Sequence, residues 1–142
     1  MTKKPKVFIG SARESISYVD AIHQSLSYIA EVTPWHTAFT QPNTYNMEHL
    51  ERELNQADFA VFVFSPDDIV KIRDEVLFIS RDNTLFEMGL FWGKLRRNRV
   101  FFLMPEQLPD HSDYNQVTGI RIPTDLSAWR PSIMKCVAII TF

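Results

Sequence analysis

Three stretches of the chain are apolar without interruption, and each ends in turn-forming residues. Lys6-Val7-Phe8-Ile9 runs into Gly10-Ser11. Phe59-Ala60-Val61-Phe62-Val63-Phe64 runs into Ser65-Pro66-Asp67-Asp68. Val100-Phe101-Phe102-Leu103-Met104 is stopped by Pro105. Continuous β-prone runs of this length predict strands of a parallel sheet covered on both faces. Between them the pattern changes. Ser15 to Tyr28 carries Ile16, Val19, Ala21, Ile22 and Leu26 at helical spacing, and Met47 to Gln56 places Leu50 and Leu54 on one side. Both read as helices. Glu31-Val32-Thr33-Pro34-Trp35 is a second short strand that Pro34 demotes to a sheet edge. Thr37 to Asn46 is polar, contains Pro42, and reads as a loop of the length that often carries function. A short helix is expected from Pro66 to about Phe78. A fifth strand is expected within Val117 to Pro123, and Met134 to Phe142 is apolar and β-prone.

The segment from Ser80 to Arg99 is the most informative. A polar start, Ser80-Arg81-Asp82-Asn83-Thr84, leads into Leu85-Phe86-Glu87-Met88-Gly89-Leu90-Phe91-Trp92 and then into the cations Lys94, Arg96, Arg97 and Arg99. This predicts one helix from about Thr84 to Arg97, its cations at the favoured C-terminal end. Glu87 is the lone charge of the apolar run, and its helical neighbours at three and four residues include no cation. A carboxylate in such surroundings is costly to desolvate and marks a functional-site candidate. The bland alternative is a capping box in which Glu87 reaches back to the backbone N–H of Thr84. Phe86, Gly89, Leu90 and Gly93 share one helix face. Two glycines on one stripe suggest that a backbone or ligand comes close there.

Alternation of strands and helices implies βαβ units and a parallel sheet with right-handed crossovers. Ligands of open α/β sheets lie beyond the carboxyl ends of the strands, at a topological switch point. Those ends are Gly10-Ser11, Trp35-His36 and Ser65-Pro66-Asp67, and the helix of Glu87 starts on the same side. The turn Gly10-Ser11-Ala12-Arg13-Glu14 either receives a phosphate, with Arg13 supplying charge, or is an ordinary strand-to-helix turn capped by Ser11 or Ser15. Trp35 either stacks on a flat ring or plugs the core. Ser65 reads as a ligand or a turn residue, and Asp67 and Asp68 read as helix caps.

Composition narrows the chemistry. The 142 residues, 45% hydrophobic, suffice for one globular domain, and a formal charge of -2 gives no general pull toward nucleic acid. The basic cluster from Lys94 to Arg99 reads as a solvated helix end rather than a phosphate patch. Cys136 is the sole cysteine, and His23, His36, His49 and His111 have no metal-ligand spacing, so neither a disulfide nor a metal is expected. The apolar stretch near the N-terminus is too short for a signal sequence or a membrane span, so no membrane association and a reducing cytoplasm are expected. No P-loop, GxGxxG fingerprint or nucleophile triad is present.

Val7-Phe8-Ile9-Gly10-Ser11, Ala57-Asp58-Phe59-Ala60-Val61, Ser65-Pro66-Asp67-Asp68 and the stretch from Arg81-Asp82-Asn83 through Phe86-Glu87-Met88-Gly89-Leu90-Phe91-Trp92-Gly93-Lys94-Leu95 occur in one order. Together they resemble the bacterial TIR-like nucleotide-binding family, whose members include TIR domains fused to STING-type or other cyclic-nucleotide sensors in anti-phage systems. The resemblance covers roughly Lys6 to Met104, and the N-x-x-F-E-x-G-x-F-x-G-x-L stretch is its specific part. It implies a flavodoxin-like α/β fold with a central parallel sheet of about five strands, and cleavage of the nicotinamide–ribose bond of NAD+, with NAD+ as substrate and no cofactor. It places the catalytic glutamate on Glu87. Candidate substrate contacts are Gly10, Ser11, Arg13, Trp35, Ser65, Asp67, Asn83 and Phe86. It further implies self-association into oligomers or filaments, for which the loop around Phe39, Pro42 and Tyr45 is a candidate surface, and a fused or partner cyclic-nucleotide sensor. The chain departs from the family pattern after Met104.

The reaction suits one carboxylate. Breaking the nicotinamide–ribose bond develops oxocarbenium charge, which an adjacent carboxylate stabilises. Cationic nicotinamide leaves without a general acid. Two rival classes are a non-catalytic TIR interaction module and a nucleoside deoxyribosyltransferase-like enzyme with a nucleophilic glutamate.

Overall fold

The structure, a computed structural model, describes residues 2–38, 46–105, 108–109 and 117–127. The three uninterrupted apolar runs form the strands β1 (Lys6–Gly10), β3 (Phe59–Val63) and β6 (Val100–Leu103). With β2 (Glu31–Pro34) they make a fully parallel sheet in the order β2-β1-β3-β6. Pro34 lies in the edge strand β2, where a missing ladder donor is tolerated. The chain leaves β1 toward β2 on one side and returns to pair β3 on the other. The switch point therefore falls between the carboxyl ends of β1 and β3.

Alternation along β1 and β3 sorts their side chains onto two faces. Val7, Ile9, Val61 and Val63 pack with Val19 and Ile22 of α1 (Ile16–Leu26), which a 3-10 turn, Arg13–Ser15, precedes. Phe8, Ala60 and Phe62 face the other way, with Leu50 of α3 (Asn46–Gln56) and with α4 (Asp82–Leu95). Phe91 of α4 stacks on Phe8 with ring centroids 4.7 Å apart and meets Phe62 edge-on at 5.5 Å. The long loop expected from Thr37 is opened by the short helix α2 (Trp35–Ala38).

Four expectations are corrected. The segment after Asp67 is a hairpin, not a helix: β4 (Asp68–Ile72) pairs antiparallel with β5 (Glu75–Ile79). Ile69, Val70, Ile72, Val76 and Ile79 are β-branched, and Arg73 accepts the left-handed turn at φ 57°. The expected fifth strand forms as β7 (Val117–Arg121), but it pairs with β5 in a separate three-stranded sheet. Among the described residues the central sheet thus has four strands, and the short helix α5 (Thr124–Ser127) follows β7. Residues 134–142 lie outside the described residues. The inward stripe of α4 is Thr84, Met88, Phe91 and Leu95, all buried. Phe86, Gly89 and Gly93 are exposed, and nothing lies within 4 Å of a Cβ added at either glycine. No other backbone among the described residues makes the close approach offered as one reading of the α4 glycines. Both stripes are apolar in sequence, and the packing of Phe91 decides between them.

Gly10 is the glycine that is sterically required. A Cβ there would lie 2.6 Å from Cδ1 of Phe62 and closer still to its Cε1. Gly10→Ala should therefore destabilise the domain by about 1–3 kcal/mol through overpacking. Gly89→Ala should stabilise it by up to about 1 kcal/mol through helix propensity. Denaturant melts of the two variants check both signs.

Candidate active site

A cleft of about 360 Å3 opens beyond the carboxyl ends of β1 and β2. That volume is at the lower end of the roughly 300–1,000 Å3 usual for small-molecule sites. Its walls come from the turn after β1 (Ser11, Ala12, Arg13), from Trp35, from the start of α3 (Asn46, Met47, Leu50) and from the start of α4 (Arg81, Asn83, Thr84, Phe86, Glu87).

Ser11 is buried, and its hydroxyl accepts the indole N–H of Trp35 at 2.9 Å while donating to the carbonyl of Ala12 at 2.8 Å. This pair fixes the Trp35 ring on the cleft wall. Trp35 also packs against the Phe8–Phe91 core, as its core reading expected, while its ring lines the cleft.

The start of α4 is anchored by a chain of hydrogen bonds. Ser15 Oγ donates to Ser65 Oγ at 2.6 Å, and Ser65 Oγ donates to Asp67 Oδ1 at 2.6 Å. Asp67 Oδ2 then accepts the backbone N–H of Arg81 at 3.1 Å. Ser15 and Ser65 are both buried. The chain ties the turn after β1, the end of β3 and the N-cap of α4 into one frame. Asp67 and Asp68 cap no helix of their own, since β4 begins at Asp68.

Helix α4 begins two residues before the expected Thr84. Arg81 is its N-cap, and the backbone N–H of Thr84 bonds to the carbonyl of Arg81 at 3.0 Å. Thr84 is the third helical residue and Glu87 the sixth, so the capping box expected between them does not exist. Glu87 lies one turn before Phe91, at the edge of the inward stripe. Among the described residues its carboxylate makes no hydrogen bond or ion pair. Burial pushes its pKa up from 4.5 to about 7.

Of the residues singled out from sequence, Ser11, Arg13, Trp35, Asn83, Phe86 and Glu87 meet at this one cleft. Phe86 is 53% exposed beside Glu87, an apolar plate on the cleft wall. Gly10, Ser65 and Asp67 do not line the cleft. Gly10 is held by the Phe62 ring, while Ser65 and Asp67 belong to the frame beneath. Of the loop expected from Thr37 to Asn46, residues 39–45, with the candidate contact residues Phe39, Pro42 and Tyr45, lie outside the described residues.

Sequence reasoning missed Arg81 as a site residue. Its Nη1 meets both carboxylate oxygens of Glu14 at 3.0 Å, and its Nε and Nη2 meet Asp68 at 3.3 Å. Asp68 and Glu14 together hold the Arg81 pKa above its already high usual value. Backbone hydrogen bonding at Glu14, and then the Arg81 guanidinium, hold the Glu14 carboxyl below its ordinary value. Arg81 stands in the motif Arg81-Asp82-Asn83, but its partners are 67 and 13 residues away, beyond any local pattern. Among the described residues no group of three His, Cys, Asp or Glu is placed to hold a metal ion, and no helix is long and apolar enough to cross a membrane.

The family model described as "CAP12/Pycsar effector protein, TIR domain" matches residues 6–124. The Pycsar effector protein PaPycTIR of Pseudomonas aeruginosa is 38% identical over 117 residues, covering 80% of this chain and 38% of that protein. The Pycsar effector protein BcPycTIR of Burkholderia cepacia is 29% identical over 126 residues, covering 88% and 38%. CD-NTase-associated protein 12 of Niabella drilacis is 32% identical over 123 residues, covering 83% and 39%. The chain thus spans less than two fifths of the length of these relatives. A solved 2-desoxiribosyltransferase from Leishmania mexicana superposes with a TM-score of 0.44 at 14% identity, covering 79% of this chain and 72% of that one, a likeness too low to carry an argument. The matching span runs from β1 to the start of α5 and contains the whole described cleft, and the chain belongs to the CAP12/Pycsar effector TIR domain family.

Proposed function

We propose that this domain cleaves the nicotinamide–ribose bond of NAD+, with Glu87 as the catalytic carboxylate. The observation that supports this most is a half-buried carboxylate with no partner among the described residues, standing in the wall of a cleft at the carboxyl edge of the sheet. A desolvated carboxylate without a counter-ion is suited to a cationic ligand. NAD+ carries its positive charge on the nicotinamide ring, next to the bond that breaks. As the C1′–N bond lengthens, that charge passes to the ribose, where the Glu87 carboxylate stabilises it. The bonding pair leaves with nicotinamide, which departs neutral. Water adds at C1′ and releases a proton, giving ADP-ribose; attack by a nitrogen of the substrate's own adenine gives a cyclic product instead. Exposed Phe86 and the fixed Trp35 ring offer flat faces for the bases.

On this reading the chain is one TIR domain, the effector part of a longer anti-phage protein. The relatives named CD-NTase-associated protein 12 suggest a nucleotide signal read by a fused or partner sensor. Self-association belongs to the same proposal. It predicts specific activity that rises with protein concentration, and constant activity across a hundredfold dilution contradicts it.

The reaction is tested by incubating the protein with NAD+ and separating the products by chromatography. Nicotinamide should appear with the wild type and not with Glu87→Gln. Base exchange between deoxynucleosides, or an inert folded protein at every concentration, would sink the proposal.

The raised pKa of Glu87 makes two pH predictions. The ionised form is the active one, so kcat/KM should rise with pH and level off above about 7, as the free enzyme's titration requires. Stability should move the other way. Below 4.5 the carboxyl is protonated in both the folded and the unfolded chain, and it contributes no pH dependence. Between 4.5 and about 7 the unfolded chain releases the proton and the folded one keeps it, so stability falls as pH rises. The full loss corresponds to about 3 kcal/mol. Glu87→Gln should therefore match the wild type at pH 4 and be the more stable protein at pH 8, as denaturant melts at the two pH values would show.

A further inference from the structure

We infer that Arg81 is a diphosphate ligand of this cleft, and that Glu14 holds the position on Arg81 that a ligand phosphate takes on binding. The inference rests on the reading of the cleft as a dinucleotide site and names the residue that holds the dinucleotide's anionic centre.

Arg81 and Arg13 are the cations of the cleft wall among the described residues. Arg81 is much the better fixed. Its backbone N–H is bound by Asp67, and its side chain is held along one edge by Asp68, whose two oxygens meet Nε and Nη2 at 3.3 Å. That fork leaves Nη1 pointing to the turn after β1, where Glu14 receives it with both oxygens at 3.0 Å.

The two carboxylates are not equivalent in their attachment. Asp68 belongs to the paired strand β4, opposite Ile79. Glu14 sits in a three-residue turn, and its side chain is 60% exposed. An ion pair this open to water is weakly held. Glu14 can swing into solvent without disturbing any strand or helix.

A diphosphate matches what Glu14 supplies and exceeds it. Phosphate oxygens accept a guanidinium N–H as carboxylate oxygens do, and the group they would meet here is the Nη1 that Glu14 now holds. The diphosphate of a dinucleotide brings two negative charges where Glu14 brings one. Arg13, next to Glu14 in the turn, provides a second cation on the same wall. Arg81 opens the helix that carries Glu87 six residues later. One helix start would thus hold the ligand's anionic centre near Arg81 and its cationic ring near Glu87, reading both charges of the same molecule. A neutral nucleoside gains nothing from Arg81 and displaces nothing.

The test measures binding, not turnover. ADP-ribose, inorganic pyrophosphate and neutral adenosine are titrated calorimetrically into the wild type, Glu14→Gln, Arg81→Lys and the double variant, with a thermal melt of each. Glu14→Gln removes the competing charge from an exposed turn and should tighten ADP-ribose and pyrophosphate by about three- to tenfold. Its affinity for adenosine should stay within about twofold. Arg81→Lys keeps the charge but loses the fork, and should weaken ADP-ribose and cancel the gain from Glu14→Gln in the double variant. The inference is overturned by a Glu14→Gln protein whose affinities for ADP-ribose and pyrophosphate are unchanged, by an equal gain for adenosine, or by a gain that survives Arg81→Lys. If Arg81→Lys does not fold, the Glu14→Gln titrations decide alone. A wild type that leaves NAD+ intact, together with a Glu14→Gln protein that tightens on pyrophosphate, would refute the proposed reaction and leave this inference standing.

Discussion

The packing of Phe91 against both Phe8 and Phe62 is the contact on which the site depends. It fixes the rotation of α4 about its own axis. With Phe91 stacked at 4.7 Å on the ring of Phe8, the inward face of the helix has to be Thr84, Met88, Phe91 and Leu95. Glu87 is one turn before Phe91 and is drawn toward the sheet with it. A rotation of about 100°, one residue's worth, would put Phe86 at that place and Glu87 toward solvent. The hydrophobic gain from burying Phe91 and Met88 therefore supports the cost of desolvating a carboxylate.

A second constraint sets where along its axis the helix sits. The hydrogen-bonded series Ser15, Ser65, Asp67 and the Arg81 backbone joins the turn after β1 and the end of β3 to the N-cap of α4. Phe91 determines which side chains face the sheet, and Asp67 determines how far Glu87 stands above it. Neither residue needs to touch the ligand for the site to depend on it. Such a division is typical of sites that hold one reactive group without a partner, because the frame must supply the rigidity that a counter-ion would otherwise give.

Much of this was legible in the residues. The strands β1, β3 and β6 were readable because a parallel sheet buried on both faces needs unbroken apolar runs. The placement of Glu87 over the strand ends followed from the direction a crossover helix must take. The hairpin β4-β5 was not readable in the same way. Ser65-Pro66-Asp67-Asp68 resembles a helix start, and that signal outweighed the β-branched residues from Ile69 to Ile79. The inward stripe of α4 was not readable, because Phe86 and Leu90 are as apolar as Phe91 and periodicity cannot rank two apolar faces. Ser65 and Asp67 were singled out by position as substrate contacts but stand in the frame beneath the cleft, since whether a polar residue at a strand end lines a cleft or braces it depends on its partners. Glu14 and Arg81, which meet across 67 residues, leave no local trace. The family pattern around Asn83, Phe86 and Glu87 carried the recognition, and the fold explains why those residues stand together.

The central physical property is a Glu87 carboxylate that is desolvated and has no partner among the described residues. Its ionisation can be followed directly. Glutamate labelled with 13C at the side-chain carboxyl, with Glu87→Gln to identify the resonance, allows its chemical shift to be titrated by NMR. The account predicts a midpoint near the raised value of about 7, well above the other glutamates. A midpoint at the ordinary 4.5 would mean that water or a partner reaches the carboxylate, and would contradict the account.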